Sequence, residues 1–218
     1  MSLGRSPLWM ALMNHQISFL KQSNQIPPDL LRRLFEFRHE VFVQRLGWVP
    51  ARGAEEVDYF DTLGPHYAVC QDQDGQVIAG ARLLPMAGPS MLRDVFPALL
   101  GDRPCPQDEG TWEISRFALR PTRGDRTAHR RALLSLVGRM LDFAVDRGIH
   151  RLVAVSDTRL ERLVADATGL PIHRLSSPQR IGTDWAVAGW TDVSTAARAA
   201  LADRLRRDRA RDDARTAA

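Results

Sequence analysis

The sequence predicts a mixed α/β domain, a sheet flanked by helices, and three observations predict it. Two β-type runs surround the turn signal Asp72-Gln73-Asp74-Gly75. A long amphipathic stretch, Ala128 to Arg147, is followed at once by the apolar run Arg151 to Ser156, the helix-then-strand alternation of α/β domains. Between them, Trp112-Glu113-Ile114-Ser115-Arg116-Phe117 is strand-like yet carries a carboxylate, a hydroxyl and a guanidinium. Burying such groups without partners is expensive, so an interior strand with this content is built for chemistry or recognition.

The elements follow in order. Residues 1–26 lack periodicity and are expected to form a loose N-terminal arm. Pro27-Pro28-Asp29 starts a helix that runs through Leu30, Leu34, Val41 and Phe42 to about Gly47. Residues 48–65 hold Pro, Gly and acids without a period, a loop of a length that is uncommon unless functional. His66–Gln71 and Gln76–Leu84 are the hairpin strands. A Pro-rich stretch, 88–109, contains a short helical piece near Met91–Leu100. Glu113–Leu119 is a strand. The helix from Ala128 places Leu133, Leu136, Val137, Met140, Leu141 and Ala144 on one face and stops at Gly148. Arg151–Ser156 is a strand of the buried type, and Asp157–Thr168 a helix ending at Gly169. Ile172–Leu175 and Trp185–Trp190 are further strands. Ser194 caps a last helix that fades into the charged tail. The domain is expected over 27–200 and the tail over 201–218.

Composition narrows the function. An apolar share of 44% and a charged share of 26% suit a soluble globular chain. No apolar run approaches the roughly 18 residues that span a bilayer, and Met1 to Phe19 lacks a secretory signal, so no membrane role is expected. Two cysteines, Cys70 and Cys105, give neither a metal spacing nor a disulfide framework. A reducing cytoplasm is the simplest home, and no metal is expected. The net charge is +4 and Lys21 is the one lysine. The arginines lack the interleaved aromatics and motif of a nucleic-acid surface.

Several polar residues lack a reason in the fold. Arg38 shares a helix face with Leu34 and Phe42. Glu55, Glu56, Asp58 and Asp61 crowd one loop, where they repel unless solvated or met by cations. Arg82 stands in a small apolar strand. Glu113, Ser115 and Phe117 share one strand face and Ile114 and Arg116 the other, unless a bulge brings Arg116 round. Glu113 between Trp112 and Ile114 is partly desolvated, which raises its pKa toward that of a useful general base.

In this order, Arg38–Phe42–Trp48, Glu56-x-Asp58-x-x-Asp61, Arg82-Leu83-Leu84-Pro85 and Trp112-Glu113-x-Ser115-Arg116-Phe117 resemble the LuxI-type acyl-homoserine-lactone synthases. Gly88-Pro89-x-Met91-Leu92 and Ala188-Gly189-Trp190 agree, so the resemblance covers about residues 30–195. Ile114 stands where the family often has Leu.

The resemblance implies a single-domain αβα sandwich with a mixed twisted sheet, similar to GNAT acetyltransferases. It implies quorum-sensing signal synthesis: the amine of S-adenosylmethionine takes an acyl group from a thioester, then lactonisation releases methylthioadenosine. Both molecules are substrates and no cofactor is implied. Glu113 would be the base, with Ser115 and Arg116 beside it. Arg38, Phe42, Trp48, Asp58, Asp61 and Arg82 would hold S-adenosylmethionine. The acyl tail would lie among Met140, Phe143, Val153, Val155, Leu160 and Leu163, each of which reads equally as plain core. Ser156 would face an oxygen at carbon 3 of the chain, or sit in the N-cap region of the next helix. The donor would be acyl carrier protein, landing on Arg120, Arg123, Arg126, Arg130, Arg131 and Arg139, or else acyl-coenzyme A. One glycine in 120–126 makes a poor pyrophosphate cradle. The alternatives are a GNAT-type N-acyltransferase using acyl-coenzyme A and another amine, and a non-catalytic binding module.

Overall fold

A computed structural model describes residues 17–120 and 126–216. Its sheet runs β1 (Ile17–Gln22), β2 (His66–Gln71), β3 (Val77–Pro85), β4 (Thr111–Leu119), β5 (Arg151–Asp157), β8 (Asp184–Asp192) and β6 (His173–Arg174), with β7 (Gln179–Ile181) also on β8. Every pairing is antiparallel except β4 with β5. The strand β1 lies where a loose arm was expected, and β7 was not foreseen.

Strand alternation sends successive side chains to opposite layers. On β2, Ala68 and Cys70 join Leu133, Leu136 and Leu141 of α3 (Arg126–Asp146), while Tyr67 and Val69 join Leu34 and Phe37 of α1 (Pro28–Arg38). The α3 layer also holds α5 (Thr195–Thr216), which continues as helix through the stretch read as a tail. The helix α4 (Thr158–Thr168) packs beside α3. On the other face the four-residue helix α2 (Met91–Asp94) and the 3-10 turn Pro97–Leu100 cover Val153 and Ala188. No helix among the described residues is long and apolar enough to cross a membrane.

Local chemistry sets the element ends. Asp72 Oδ1 accepts from the backbone N–H groups of Asp74 and Gln76, and Gly75 turns the hairpin at φ +76°. Asp157, rather than Ser156, caps α4 by accepting from the N–H groups of Arg159 and Leu160. The helix α1 passes at His39 into a π-helical stretch, His39–Arg45, a widened turn common at functional sites.

Two irregularities in the sheet position the site. Arg82 pairs with Ser115 and Gly80 with Ala118, so Arg116 and Phe117 together oppose Ala81. That is a β-bulge. Arg116 takes φ +52°, the one non-glycine residue with positive φ among those described, at a cost on the order of 1–3 kcal/mol. The second irregularity is the β4–β5 ladder, which ends at Ile114↔Ala154. Beyond it β4 keeps β3 and β5 keeps β8, so the strands part in the middle of the sheet.

Candidate active site

The loop of acids is ordered by its own side chains and by three arginines. Asp58 caps the 3-10 turn Tyr59–Leu63, and Asp61 accepts the N–H of Asp58 in return. Arg38 donates from Nε to Glu56 at 2.6 Å and grips both oxygens of Asp61 at 2.8 and 2.9 Å. Arg82 donates to Asp58 at 2.5 Å, to Asp61 at 2.8 Å and to Ser115 Oγ at 3.0 Å. Arg116, brought round by the bulge, reaches Glu56 at 2.9 Å and Asp58 at 2.7 Å. Tyr67 donates its hydroxyl to Asp61 at 2.6 Å. Three guanidinium groups thus balance three carboxylates in one connected network, in which Arg38–Asp61, Arg82–Asp58 and Arg116–Glu56 are bidentate and therefore strong.

The network has a sealed interior and a wet rim. The side chains of Arg38, Glu56, Asp61 and Arg82 are at most 3% exposed, whereas Asp58 is 21% and Arg116 12% exposed. Only the rim pair can meet a ligand without rearrangement. Arg38 and Arg82 have their donors engaged and hold the rim in place. The guanidiniums hold Asp61 well below the usual carboxylate range against its burial, and that burial, with the Asp61 charge beside it, pushes the Tyr67 hydroxyl far up.

Glu113 lies on the same side but outside the network. Its Oε2 accepts from the backbone N–H of Met91 at 2.8 Å and its Oε1 from that of Leu92 at 2.7 Å. It therefore ties the first turn of α2 to β4. It is buried and receives no guanidinium bond, and burial raises its pKa above the ordinary glutamate value despite the two N–H groups. Met91 closes the arrangement, its Sδ lying 3.2 Å from Arg82 Nη2 and 3.3 Å from Arg116 Nη1.

The opposite face has a different character. A cavity of about 110 Å³ lies between the sheet and α3 and α4, lined by Ile114, Phe117, Met140, Ala154, Val155, Ser156, Leu160 and Val164 among others. The bulge flips Phe117 into this wall, away from Glu113 and Ser115 whose face it was expected to share. Liners from both β4 and β5 border the parted ladder, so the cavity reaches the gap in the sheet.

The sequence expectations divide here. Met140, Val155, Ser156 and Leu160 line the cavity. Phe143 does not: it meets His66 at a tilt and Trp112 edge to face, at 5.0 and 5.3 Å between ring centroids, one helical turn beyond Met140. Val153 packs on the α2 face, and Leu163 points outward at 41% exposure. Phe42 is buried beneath Arg116, and the exposed Trp48 leans on it and donates Nε1 to Asp184 at 2.9 Å. Tyr67 and Met91 were missed, because an aromatic and a thioether in apolar runs look like core.

The family model for autoinducer synthases matches residues 22–201. The chain belongs to the autoinducer synthase family. An acyl-homoserine-lactone synthase of Ralstonia nicotianae is 35% identical over 191 residues, 84% of this chain and 92% of its own. The isovaleryl-homoserine lactone synthase of Bradyrhizobium diazoefficiens is 30% identical, over 88% of this chain and 85% of its own. Among solved structures, the synthase LasI has a TM-score of 0.76 at 29% identity, over 86% of this chain and 93% of its own. BjaI, a coenzyme A-dependent synthase solved with S-adenosylmethionine and isopentyl-coenzyme A, has 0.74 at 27%, over 87% of each. This autoinducer synthase is accordingly an acyltransferase of GNAT-like fold that makes a quorum-sensing signal.

Proposed function

We propose that the two faces divide the reaction, the amino-acid substrate meeting the charged rim and the acyl tail filling the apolar cavity, with the thioester at the gap between β4 and β5. The observation that carries this reading is the bulge. It puts Arg116 with Asp58 on one face and Phe117 in the cavity on the other, so adjacent residues serve both substrates. At the rim, Asp58 suits the cationic groups of S-adenosylmethionine and Arg116 its carboxylate. Trp48 offers an exposed π face to the sulfonium or the adenine.

The attacking amine must first lose a proton. Glu113 is the carboxylate suited to take it, through a water, since the other three are neutralised by arginine. The amine nitrogen then bonds to the thioester carbonyl carbon, the C–S bond breaks, and the thiolate leaves with a proton. Ser115 Oγ, which accepts from Arg82 Nε, is the hydroxyl we assign to the developing oxyanion. The substrate carboxylate next attacks its own γ-carbon and expels methylthioadenosine, leaving the lactone. Both reactants are consumed, and the reading needs no cofactor.

The donor has two forms to weigh. An acidic carrier protein would meet the arginines around the start of α3. Arg123 lies outside the described residues, Arg120 is paired with Glu40 at 2.6 Å, and Arg130 with Asp208 at 2.5 Å. That local neutralisation favours giving acyl-coenzyme A equal standing. A chain kept in the cytoplasm has both donors at hand. The test is incubation with S-adenosylmethionine and one acyl chain on each carrier, reading lactone and methylthioadenosine by mass spectrometry. The two products should appear in equal amounts. Lactone without methylthioadenosine overturns the chemistry, and a KM for carrier protein unmoved by salt overturns its docking on arginines.

A further inference from the structure

The cavity has one wall closed by charge rather than by packing. Its lining includes Glu161, on the turn of α4 that also supplies Leu160 and Val164. Glu161 turns away from the apolar liners and takes both its oxygens to Arg174, at 2.7 Å from Nε and 2.6 Å from Nη2. Arg174 belongs to β6, a two-residue strand at the very edge of the sheet. The neighbouring Ile172 also lines the cavity and sits over Gly189, where a Cβ would come within 2.9 Å of it. The outer wall is therefore a half-exposed helix face, a minimal edge strand and one bidentate ion pair spanning the seam.

We propose that the Glu161–Arg174 pair is a door at the outer end of the acyl cavity and sets the longest acyl chain the enzyme accepts. This rests on reading the cavity as the acyl site. While the pair is closed, this seam offers the last carbons of a longer chain no way out. Pushing the pair apart from inside would strand the Glu161 carboxylate, 11% exposed, against apolar neighbours without its cation, a costly arrangement. Arg174 is 43% exposed, so removing it leaves the core packing intact. With no cation to bridge to, Glu161 no longer ties α4 to β6, and the seam can part to let a chain end through.

The experiment uses the full chain and a series of saturated acyl thioesters of rising length, with methylthioadenosine release as readout. Wild type should show a sharp upper limit. In Arg174→Ala the limit should move to longer chains, raising the long-to-short rate ratio at least ~10-fold, the worth of one methylene in an apolar pocket. Arg174→Lys, which restores charge without the bidentate fork, should fall between. A second series, displacement of an environment-sensitive fluorescent fatty acid by unlabelled fatty acids of the same lengths, reads the cavity without turnover. An identical upper limit for wild type and Arg174→Ala in the displacement series overturns the door. Absence of methylthioadenosine with every donor would strike the reaction assignment instead, and the displacement series would still decide the door.

Discussion

The two faces of β4 are built on opposite plans. On one, eight polar side chains from α1, the loop 56–61, β2, β3 and β4 are bonded to one another. On the other, apolar side chains from the sheet and two helices stop short of contact and leave a cavity. Buried charges tolerate no missing partner, because each stranded one costs desolvation without return. Apolar walls tolerate a void and pay only lost contacts. The polar face is consequently fixed in geometry and suited to the chemistry common to all substrates, while the apolar face is free to vary and suited to choosing among acyl chains.

The sharpest way to break this contrast is to remove the central cation. Arg82→Met leaves Asp58 and Asp61 short of a partner in a buried site, and should cost about 3–5 kcal/mol in denaturant unfolding. The matching change across the sheet, Ala154→Leu, fills empty space and should stay within about 1.5 kcal/mol of wild type. If the two variants unfold alike, the network is not the rigid partner of the pair.

Glu113→Gln probes the chemistry. It should lower kcat by roughly 10²–10⁴, the loss typical of a general base. Stability falls as well, because a glutamine has one acceptor oxygen for the two N–H groups of Met91 and Leu92, and its amide faces the other donor. Single-turnover acyl transfer on folded protein separates the two effects. An unchanged rate there removes Glu113 from the base role. The same Ala154→Leu variant should cost long-chain donors roughly 10-fold per excluded methylene while leaving short donors alone, measured as kcat/KM across a chain series.

How far the site could be read from sequence follows the same divide. Arg38, Arg82 and Glu113 were legible because a charge in an apolar run has no packing reason to be there. The acids of 56–61 were legible as a cluster, but not as a capped turn whose carboxylates are consumed by arginine. The bulge was open only as a possibility, since its positive φ falls on Arg116 and not on a glycine that would have marked it. The cavity liners were half legible. Helical periodicity gives the face shared by Met140 and Phe143 but not where along it the sheet parts, and that boundary separates a liner from an aromatic cluster. β1 and β7 were invisible because edge pairing needs so little pattern.

Acid should separate the two plans most gently. Glu113 has a raised pKa, so the base is lost as pH falls through that raised value and activity declines first. Asp61 is held low, so its contribution to stability is present above the ordinary Asp value and disappears only as pH falls through the depressed one. His66, half buried against Trp112 and Phe143 and repelled by Arg147, is pushed down to about 4 from 6.5. The unfolded chain takes up that proton near 6.5 and the folded chain does not. Stability therefore slopes downward as pH falls from about 6.5 to about 4. His66→Gln should flatten that slope in pH-dependent thermal unfolding and leave the acid limb of kcat in place. If the substitution moves the activity limb as well, the aromatic cluster and Glu113 are coupled through β4, and the independence of the two faces is lost.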